Sequence, residues 1–210
     1  LYVIRLVYQN QQSRLEIQGL RIENLQSQFE ALKNQVSPHF LFNSLNSLKT
    51  LIREEPATAQ EYLNHLSLIL RYTLNANEKK QVTLNDELEF ITSYFYLLKL
   101  RYNQNLHFTK HIDEKYFKYK VPPLALQVLI ENAIKHNEIS RRKPLEIEVF
   151  TTEKKSIIVK NNVNEKFSAE PGTGIGLTNL NMQYRFLAGR DIEIRNKENC
   201  FIVELPLFEP

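Results

Sequence analysis

The spacing of apolar residues predicts a helix whose buried face changes part-way along. Within residues 11–36 the apolar positions recur every three or four residues, at Ile22, Leu25, Phe29, Leu32 and Val36. This spacing is typical of a coiled-coil seam, so we expect a signalling coiled-coil helix over residues 1–36 that pairs with a second copy. The opening LYVIRLVY is explained equally well as the last turns of an apolar helix or as the ordinary start of a coiled coil.

Pro38 marks the point where the apolar stripe moves to another face. Beyond it the apolar positions are Leu41, Leu45, Leu48 and Ile52, which are displaced by two residues from the earlier register. Two residues correspond to about 200° around a helix, so the pattern predicts a proline kink that joins two seams. The shift turns a polar row outward, consisting of His39, Asn43, Asn46 and Thr50.

A second amphipathic helix follows a break at REEPAT, where Pro56 suits the first helical position. It spans residues 57–76. Together with the preceding helix it predicts a helical hairpin over residues 27–77, which can pair into a four-helix dimer. The polar segment NANEKKQ (75–81) predicts a domain boundary.

Residues 82–210 mix helical and strand patterns. Helices are predicted from VTLNDELEF onward, over 123–137 and over 176–188, and strand hairpins are predicted to turn at TEKK and NKEN. Strands with one polar face and intervening helices predict a two-layer α/β sandwich. The expected fold class is α+β, with a coiled-coil and helical-hairpin dimerisation domain before this sandwich.

Composition and charge exclude several classes of function. Hydrophobic residues make up 42% and charged residues 24% of the chain, which excludes disorder, and no apolar run reaches the roughly 18 residues of a membrane span. The single cysteine, Cys200, excludes a disulfide scaffold. A net charge of +3 is too small to indicate nucleic-acid binding. Because the chain starts at Leu1 and its only methionine is Met182, we expect it to be part of a longer protein.

A polar cluster occupies one side of the helix predicted around LQVLIENAIKHN. Asn132, Lys135 and His136 lie together there, with Glu131 at the edge. An amide oxygen is a hard ligand that suits magnesium, and a lysine one turn away can meet a phosphate. Taken alone, this helix is explained more simply by a solvated polar face.

Three of the five glycines crowd into GTGIGLTNL, at Gly172, Gly174 and Gly176. Glycines at alternate positions before a helix let backbone N–H groups approach a phosphate, and the start of a helix favours anions. The spacing matches neither a Walker-type loop nor a dinucleotide fingerprint. By itself this segment is weak evidence for a nucleotide site.

His39 and Asn43 are one helical turn apart on the outward row. Neutral imidazole is a nucleophile near pH 7 and can accept a phosphoryl group. An exposed histidine is usually an ordinary surface residue, but the shift of the seam places this one outward beside a proline. A metal role is disfavoured because His39 has no His, Cys or carboxylate at ligand spacing.

Five segments occur in an order that resembles a known family. They are QVSPHFLFNSLNSL, LSLILRYTL, VTLNDELEFITSYFYLLKLRY, PPLALQVLIENAIKHN and GTGIGLTNLNMQYRFL. They resemble the successive blocks of the LytS-type sensor histidine kinases, and the resemblance covers roughly residues 33–206. It implies a phosphotransfer hairpin over residues 27–77 and a GHKL-type ATP-binding catalytic domain over residues 82–210.

The resemblance also implies roles for individual residues. His39 matches the phosphoacceptor, Asn132 matches the magnesium-binding asparagine, and Lys135 and His136 match phosphate-side positions. The glycine block of the ATP lid and a phosphate-reaching asparagine are matched by Gly172, Gly174, Gly176 and Asn179. The implied substrate and cofactor are ATP and Mg²⁺. The implied reaction is phosphoryl transfer from ATP to His39, then to an aspartate of a response regulator.

One block departs from the pattern of many relatives. They carry Asp-Asn-Gly, whose aspartate binds the adenine amino group, where this chain has Asn161, Asn162 and Val163. Asn161 can still accept that hydrogen bond through its carbonyl oxygen. It lacks the charge, and Val163 lacks the backbone freedom of glycine, so this block places nucleotide affinity in doubt.

The general base is unassigned, because Phe40 follows His39 where many other kinase classes have a carboxylate. Glu131 is a candidate because it is adjacent to Asn132. Asn43 is a candidate for orienting His39 or a hydrolytic water.

The resemblance implies two partners, a second copy of the chain and a response regulator with a LytTR-type DNA-binding domain, and no direct contact with nucleic acid. The expected location is the cytoplasmic portion of a membrane sensor. Two alternatives remain open. One is a catalytically weak dimeric signalling scaffold with a degraded nucleotide site, and the other is an ATPase that opens and closes with nucleotide without phosphorylating itself.

Overall fold

The structure is a computed structural model that describes residues 38–76, 79–164 and 175–210. The chain divides into two compact units, residues 1–47 and residues 48–210. The predicted coiled-coil helix, including LYVIRLVY, lies outside the described residues. The boundaries predicted for the hairpin and the ATP-binding domain stay predictions.

Two helices that each begin at a proline open the described part of the chain. Helix α1 spans Pro38–Glu54 and helix α2 spans Pro56–Ala76. Proline suits the first turn because its missing N–H would have no helical partner there. Glu55 alone separates the two helices, and its N–H donates to the Leu51 carbonyl oxygen at 2.7 Å. The predicted start of a helix at Pro56 is confirmed.

Helix α2 packs along helix α3, which spans Leu84–Tyr102. Tyr72 of α2 stacks on Phe90 of α3 with ring centroids 4.6 Å apart, and His65 stacks on Tyr96 at 4.2 Å. The polar segment between these helices predicted a domain boundary but gave no indication of this contact. The hairpin helix and the first helix after the boundary therefore share an aromatic interface.

A two-stranded sheet holds the start of α3. Strand β1, Val82–Thr83, pairs antiparallel with β3, Lys120–Val121. The Thr83 side chain caps α3 by accepting a hydrogen bond from the Asp86 N–H at 3.1 Å. These contacts fix the beginning of α3 against the segment that leads to the next helix.

The main sheet has five strands in the order β2-β4-β5-β7-β6. Its strands are β2 Leu106–His111, β4 Leu145–Thr152, β5 Ser156–Asn162, β6 Glu193–Lys197 and β7 Cys200–Pro206. Strands β2 and β4 run parallel, and the other neighbours run antiparallel. Both predicted hairpins are confirmed. Their turns contain residues with positive φ, at Lys155 in one and at Glu198 and Asn199 in the other.

Helices lie on one face of this sheet, which confirms the predicted α+β class and its two layers. Helix α4 spans Ala125–His136 and contacts β4 and β5, and α5, Ile175–Ala188, packs on α4. Val149, Val159 and Val203 are buried in register across three strands. No helix in the described ranges is long and apolar enough to cross a membrane.

Candidate functional site

Helix α4 separates an apolar face from a polar face, as predicted. Leu126 and Ile130 are fully buried, whereas Lys135 and His136 are exposed in the last turn. Asn132 is half-buried between the two faces. Its amide therefore stands at the border of the core, where the backbone is fixed and solvent is near.

The carboxylate of Glu131 is held by two hydrogen bonds. Its Oε1 accepts from the Tyr94 hydroxyl at 3.1 Å and from Gln127 Nε2 at 2.7 Å. Tyr94 is buried on α3, and burial, reinforced by the charge of Glu131, raises its pKa well above the ordinary value. Glu131 thus ties α4 to α3. Its role as general base stays a prediction.

Strand β5 ends in asparagines whose side chains are hydrogen-bonded. Asn161 is only 4% exposed, and its Nδ2 donates to the Asn162 carbonyl oxygen at 2.6 Å. That bond fixes the amide with Oδ1 as its acceptor atom. Asn162 fastens β5 to the start of β4, because its Oδ1 accepts from the Glu146 N–H at 2.8 Å and its Nδ2 donates to the Pro144 carbonyl oxygen at 3.0 Å.

Val163 does not need the backbone freedom of glycine. Five non-glycine residues in the described ranges have a positive φ, and Val163 is not among them. Its N–H donates to the Asn199 carbonyl oxygen at 2.8 Å. The backbone at this position therefore carries no strain that the missing glycine would have relieved.

Asn137 joins the end of α4 to the segment that follows β5. Its Nδ2 donates to the Ala133 carbonyl oxygen at 2.8 Å, and its Oδ1 accepts from the Asn164 N–H at 2.5 Å. The Glu138 N–H also donates to the Asn164 carbonyl oxygen at 2.8 Å. The polar end of α4 is therefore held beside Asn164, in the segment that follows β5. The sequence interpretation missed Asn137, although it directly follows His136 in the same block.

Helix α5 begins next to α4. A Cβ atom added at Gly176 would lie 3.4 Å from Val128 Cγ1, which is an ordinary van der Waals contact. Packing among the described residues therefore does not require glycine at this position. Asn179 is exposed in the same helix, and Gly172 and Gly174 lie outside the described residues.

Helix α1 carries the predicted phosphoacceptor. His39 lies in its first turn, and Asn43, one turn later, is half-buried. Asn46 and Thr50 of the same polar row are exposed. The roles of His39 and Asn43 stay predictions.

Comparison with known proteins agrees with the ordered blocks. The histidine kinase family model matches residues 27–106. The sensor histidine kinase/phosphatase LytS of Staphylococcus aureus strain MRSA252 is 31% identical over 185 residues, which cover 80% of this chain and 32% of LytS. The resemblance to the LytS-type sensor histidine kinases is confirmed. LytS of strain Mu50 matches with the same identity and coverage, so the matched region spans about a third of these relatives.

Solved histidine kinase structures also match this chain, at low TM-scores. The nucleotide-free catalytic domain of ThkA matches with a TM-score of 0.44 and 21% identity, covering 60% of this chain and 93% of that one. The cytoplasmic segment of QseC matches with a TM-score of 0.45 and 18% identity, covering 62% and 78%. At these values the likeness adds no detail about the site.

A buried carboxylate beside α4 was missed by the sequence interpretation. Glu87 of α3 is fully buried; its Oε1 accepts from the Leu126 N–H at 3.0 Å and its Oε2 from the Leu124 N–H at 3.1 Å. The Tyr72 hydroxyl also donates to Oε2. Burial raises the pKa of Glu87 to about 7, although the hydrogen bonds from Tyr72 and the two N–H groups lower it. The segment VTLNDELEF contains three acidic residues, and no local pattern marks Glu87 as the buried one.

Two cavities in the described part of the chain lie away from the predicted nucleotide residues. One of about 290 Å³ lies between α2 and α3 and is lined in part by Tyr72 and Phe90. The other, about 860 Å³, is an open depression near His107 and Arg141. The candidate site is therefore assigned from the side chains of α4 and β5 and not from a cavity.

Proposed function

We propose that this chain is the kinase core of a two-component sensor histidine kinase. It phosphorylates His39 with ATP and passes the phosphoryl group to an aspartate of a response regulator. The family match over residues 27–106 and the identity to LytS support this reaction class. The observation that carries the nucleotide site is the Asn137–Asn164 connection, which holds the polar end of α4 beside the end of β5.

The side chains at this junction fit magnesium and a nucleoside triphosphate. Asn132 offers an amide oxygen, a hard ligand of the kind that magnesium accepts together with phosphates and waters. When bound, magnesium neutralises charge on the phosphates. Lys135 and His136 add donors on the same side of α4. The fixed Oδ1 of Asn161 accepts a hydrogen bond from the adenine amino group, and Gly176 lets the phosphates approach α5.

The proposed transfer requires mainly positioning and charge neutralisation. A neutral imidazole nitrogen of His39 attacks the γ-phosphorus. As the phosphorus–nitrogen bond forms, the bond to the β–γ bridging oxygen breaks, and ADP leaves with that electron pair. The imidazole then gives up its proton to a base, for which Glu131 is the candidate, and Asn43 orients the ring.

Exposed leucines support a second copy of the chain as a partner. Leu63, Leu68 and Leu74 of α2 are 49%, 50% and 52% exposed, and Ile52 of α1 is 59% exposed. Leu63 and Leu74 are eleven residues apart and therefore lie on the same face of α2. Exposed apolar residues that share a face mark an interaction surface. We further propose that the chain forms a homodimer and passes its phosphoryl group to a response regulator with a LytTR-type DNA-binding domain. We also propose that it is the cytoplasmic portion of a membrane sensor.

The alternative is a catalytically weak dimeric signalling scaffold. It was suggested by the replacement of Asp-Asn-Gly by Asn161, Asn162 and Val163. The fixed amide of Asn161 and the unstrained backbone of Val163 weigh against it, since both remain compatible with adenine binding.

Labelling with γ-labelled ATP and magnesium tests the proposed reaction. Wild-type protein is expected to acquire an acid-labile, base-stable label, and His39→Gln is expected to acquire none. His65→Gln is the matched control, because it removes another helical histidine and should still be labelled. Phosphate release without labelled protein would instead indicate an ATPase, and neither product would indicate the scaffold.

A further inference from the structure

The first turn of α4 adopts a conformation that requires support. Leu124, at the N-cap position, has φ 62° and ψ 12°, and no side chain of the cap residue bonds the helix. A non-glycine residue adopts this left-handed conformation only where its surroundings hold it there. The amide hydrogens of a helix start also need acceptors, because they have no partner within the helix.

Glu87 supplies that support from another helix. One of its oxygens accepts from the N–H of Leu124 and the other from the N–H of Leu126, at 3.1 and 3.0 Å. The carboxylate therefore binds the left-handed cap residue and the second residue of α4. Asn132 is six residues beyond Leu126, about 9 Å along the helix. A rotation or shift of the first turn thus moves the predicted magnesium ligand with it.

The carboxylate is itself held by the hairpin helix. The Tyr72 hydroxyl donates to Glu87 Oε2, the oxygen that accepts from Leu124. Stacking of the Tyr72 ring on Phe90 fixes the direction of this hydroxyl. An uninterrupted series of contacts therefore runs from α2 through Tyr72 and Glu87 to the start of α4.

We infer that Glu87 is a positioning residue for the nucleotide site and that the Tyr72 hydroxyl couples the position of α2 to it. This inference rests on the proposed function, since it assumes that α4 binds magnesium and ATP. Helix α2 directly follows α1, which carries His39, along the chain. Movement of α2 relative to α3 would break or reform the hydrogen bond between Tyr72 and Glu87 and thereby change the orientation of α4.

Tyr72→Phe tests the coupling, because it removes only the hydroxyl and keeps the stacking ring. Tyr96→Phe is the matched control: Tyr96 also bridges α2 and α3, by donating to Glu61 Oε2 at 2.7 Å, but Glu61 has no bond to α4 among the hydrogen bonds described. Amide hydrogen exchange of the full chain without nucleotide is measured first. Exchange at Leu124 and Leu126 is expected to be about tenfold faster in Tyr72→Phe and unchanged in Tyr96→Phe.

Magnesium-ATP affinity and the labelling rate at saturating ATP are measured next. Tyr72→Phe is expected to weaken the affinity about tenfold, with a smaller change in the rate. Glu87→Gln, which keeps the side-chain volume, is expected to weaken it at least as much. Equal exchange rates at Leu124 and Leu126 in Tyr72→Phe and Tyr96→Phe would overturn the coupling. Faster exchange in Tyr72→Phe with unchanged magnesium-ATP affinity would overturn the positioning role of Glu87. If wild-type protein binds no magnesium-ATP, the proposed function fails and the positioning role with it, while exchange still decides the coupling.

Discussion

Glu87→Gln should remove a pH dependence of stability that wild-type protein shows between pH 5 and pH 8. Burial raises the pKa of Glu87 to about 7 in the folded chain, from an ordinary value of 4.5. A raised carboxyl pKa means that the folded state binds the proton more tightly than the unfolded state. The stability from this group is therefore complete below pH 4.5 and is lost as the pH rises through 7.

The size of the effect follows from the difference between the two pKa values. Each pKa unit corresponds to about 1.4 kcal/mol, so the whole difference is worth about 3 kcal/mol. Most of it, about 2 kcal/mol, falls between pH 5 and pH 8. The titratable groups that face Glu87 are Tyr72 on α2, Asp86 on α3 and Tyr184 on α5. Both tyrosines ionise above this range, because burial raises their pKa values.

Urea unfolding of wild-type and Glu87→Gln protein at several pH values provides the assay. Glutamine places an amide N–H₂ against one of the two backbone N–H groups, so the variant should be less stable at pH 5 by about 1–3 kcal/mol. That deficit should shrink by about 2 kcal/mol at pH 8. Groups that the substitution leaves unchanged contribute equally to both proteins and cancel in the difference. Glu61→Gln, which changes an exposed carboxylate, should show no such trend. A deficit that is the same at pH 5 and pH 8 would show that the Glu87 carboxyl does not have a raised pKa in the folded chain.

Three further predictions concern the nucleotide site and the dimer. Gly176→Ala should leave the free energy of unfolding unchanged but weaken ATP binding. Gly189→Ala is the matched control: because Gly189 has φ 65°, this variant should lower the free energy of unfolding by about 1 kcal/mol and leave ATP binding unchanged. Wild-type protein should bind ATP more tightly than inosine triphosphate, which lacks the amino group, and Asn161→Ala should lose about tenfold of that preference in competition binding. Leu63→Glu combined with Leu74→Glu should convert a dimer into a monomer in sedimentation experiments, and an unchanged mass would contradict the proposed interface.

Much of the fold could be predicted because its signals are local. The start of α2 at Pro56 follows from one residue, and the strand hairpins follow from short polar turns between apolar strands. The two faces of α4 follow from helical periodicity, which separates Leu126 and Ile130 from Lys135. In each case the determining residues are within one or two turns of the feature they specify.

The parts that could not be predicted depend on residues far apart in the sequence. The packing of α2 on α3 depends on matching aromatic rings from two helices, such as Tyr72 and Phe90. Glu87 resembles an exposed helical acid until the start of α4 and its cap residue supply two N–H groups, 39 and 37 residues away. Asn137 likewise acquires its partner 27 residues later, at Asn164. Periodicity reports which side of an element is buried but not which element will cover it.

Calorimetric titration of the full chain with magnesium-ATP tests most directly the claim that α4 and the end of β5 form a nucleotide site. We expect saturable binding in the micromolar range that requires magnesium. Asn132→Ala should weaken it about tenfold or more, because the amide ligand is lost. Undetectable binding by the folded wild-type chain would contradict a nucleotide site at α4 and β5, and so would binding that is unaffected by Asn132→Ala.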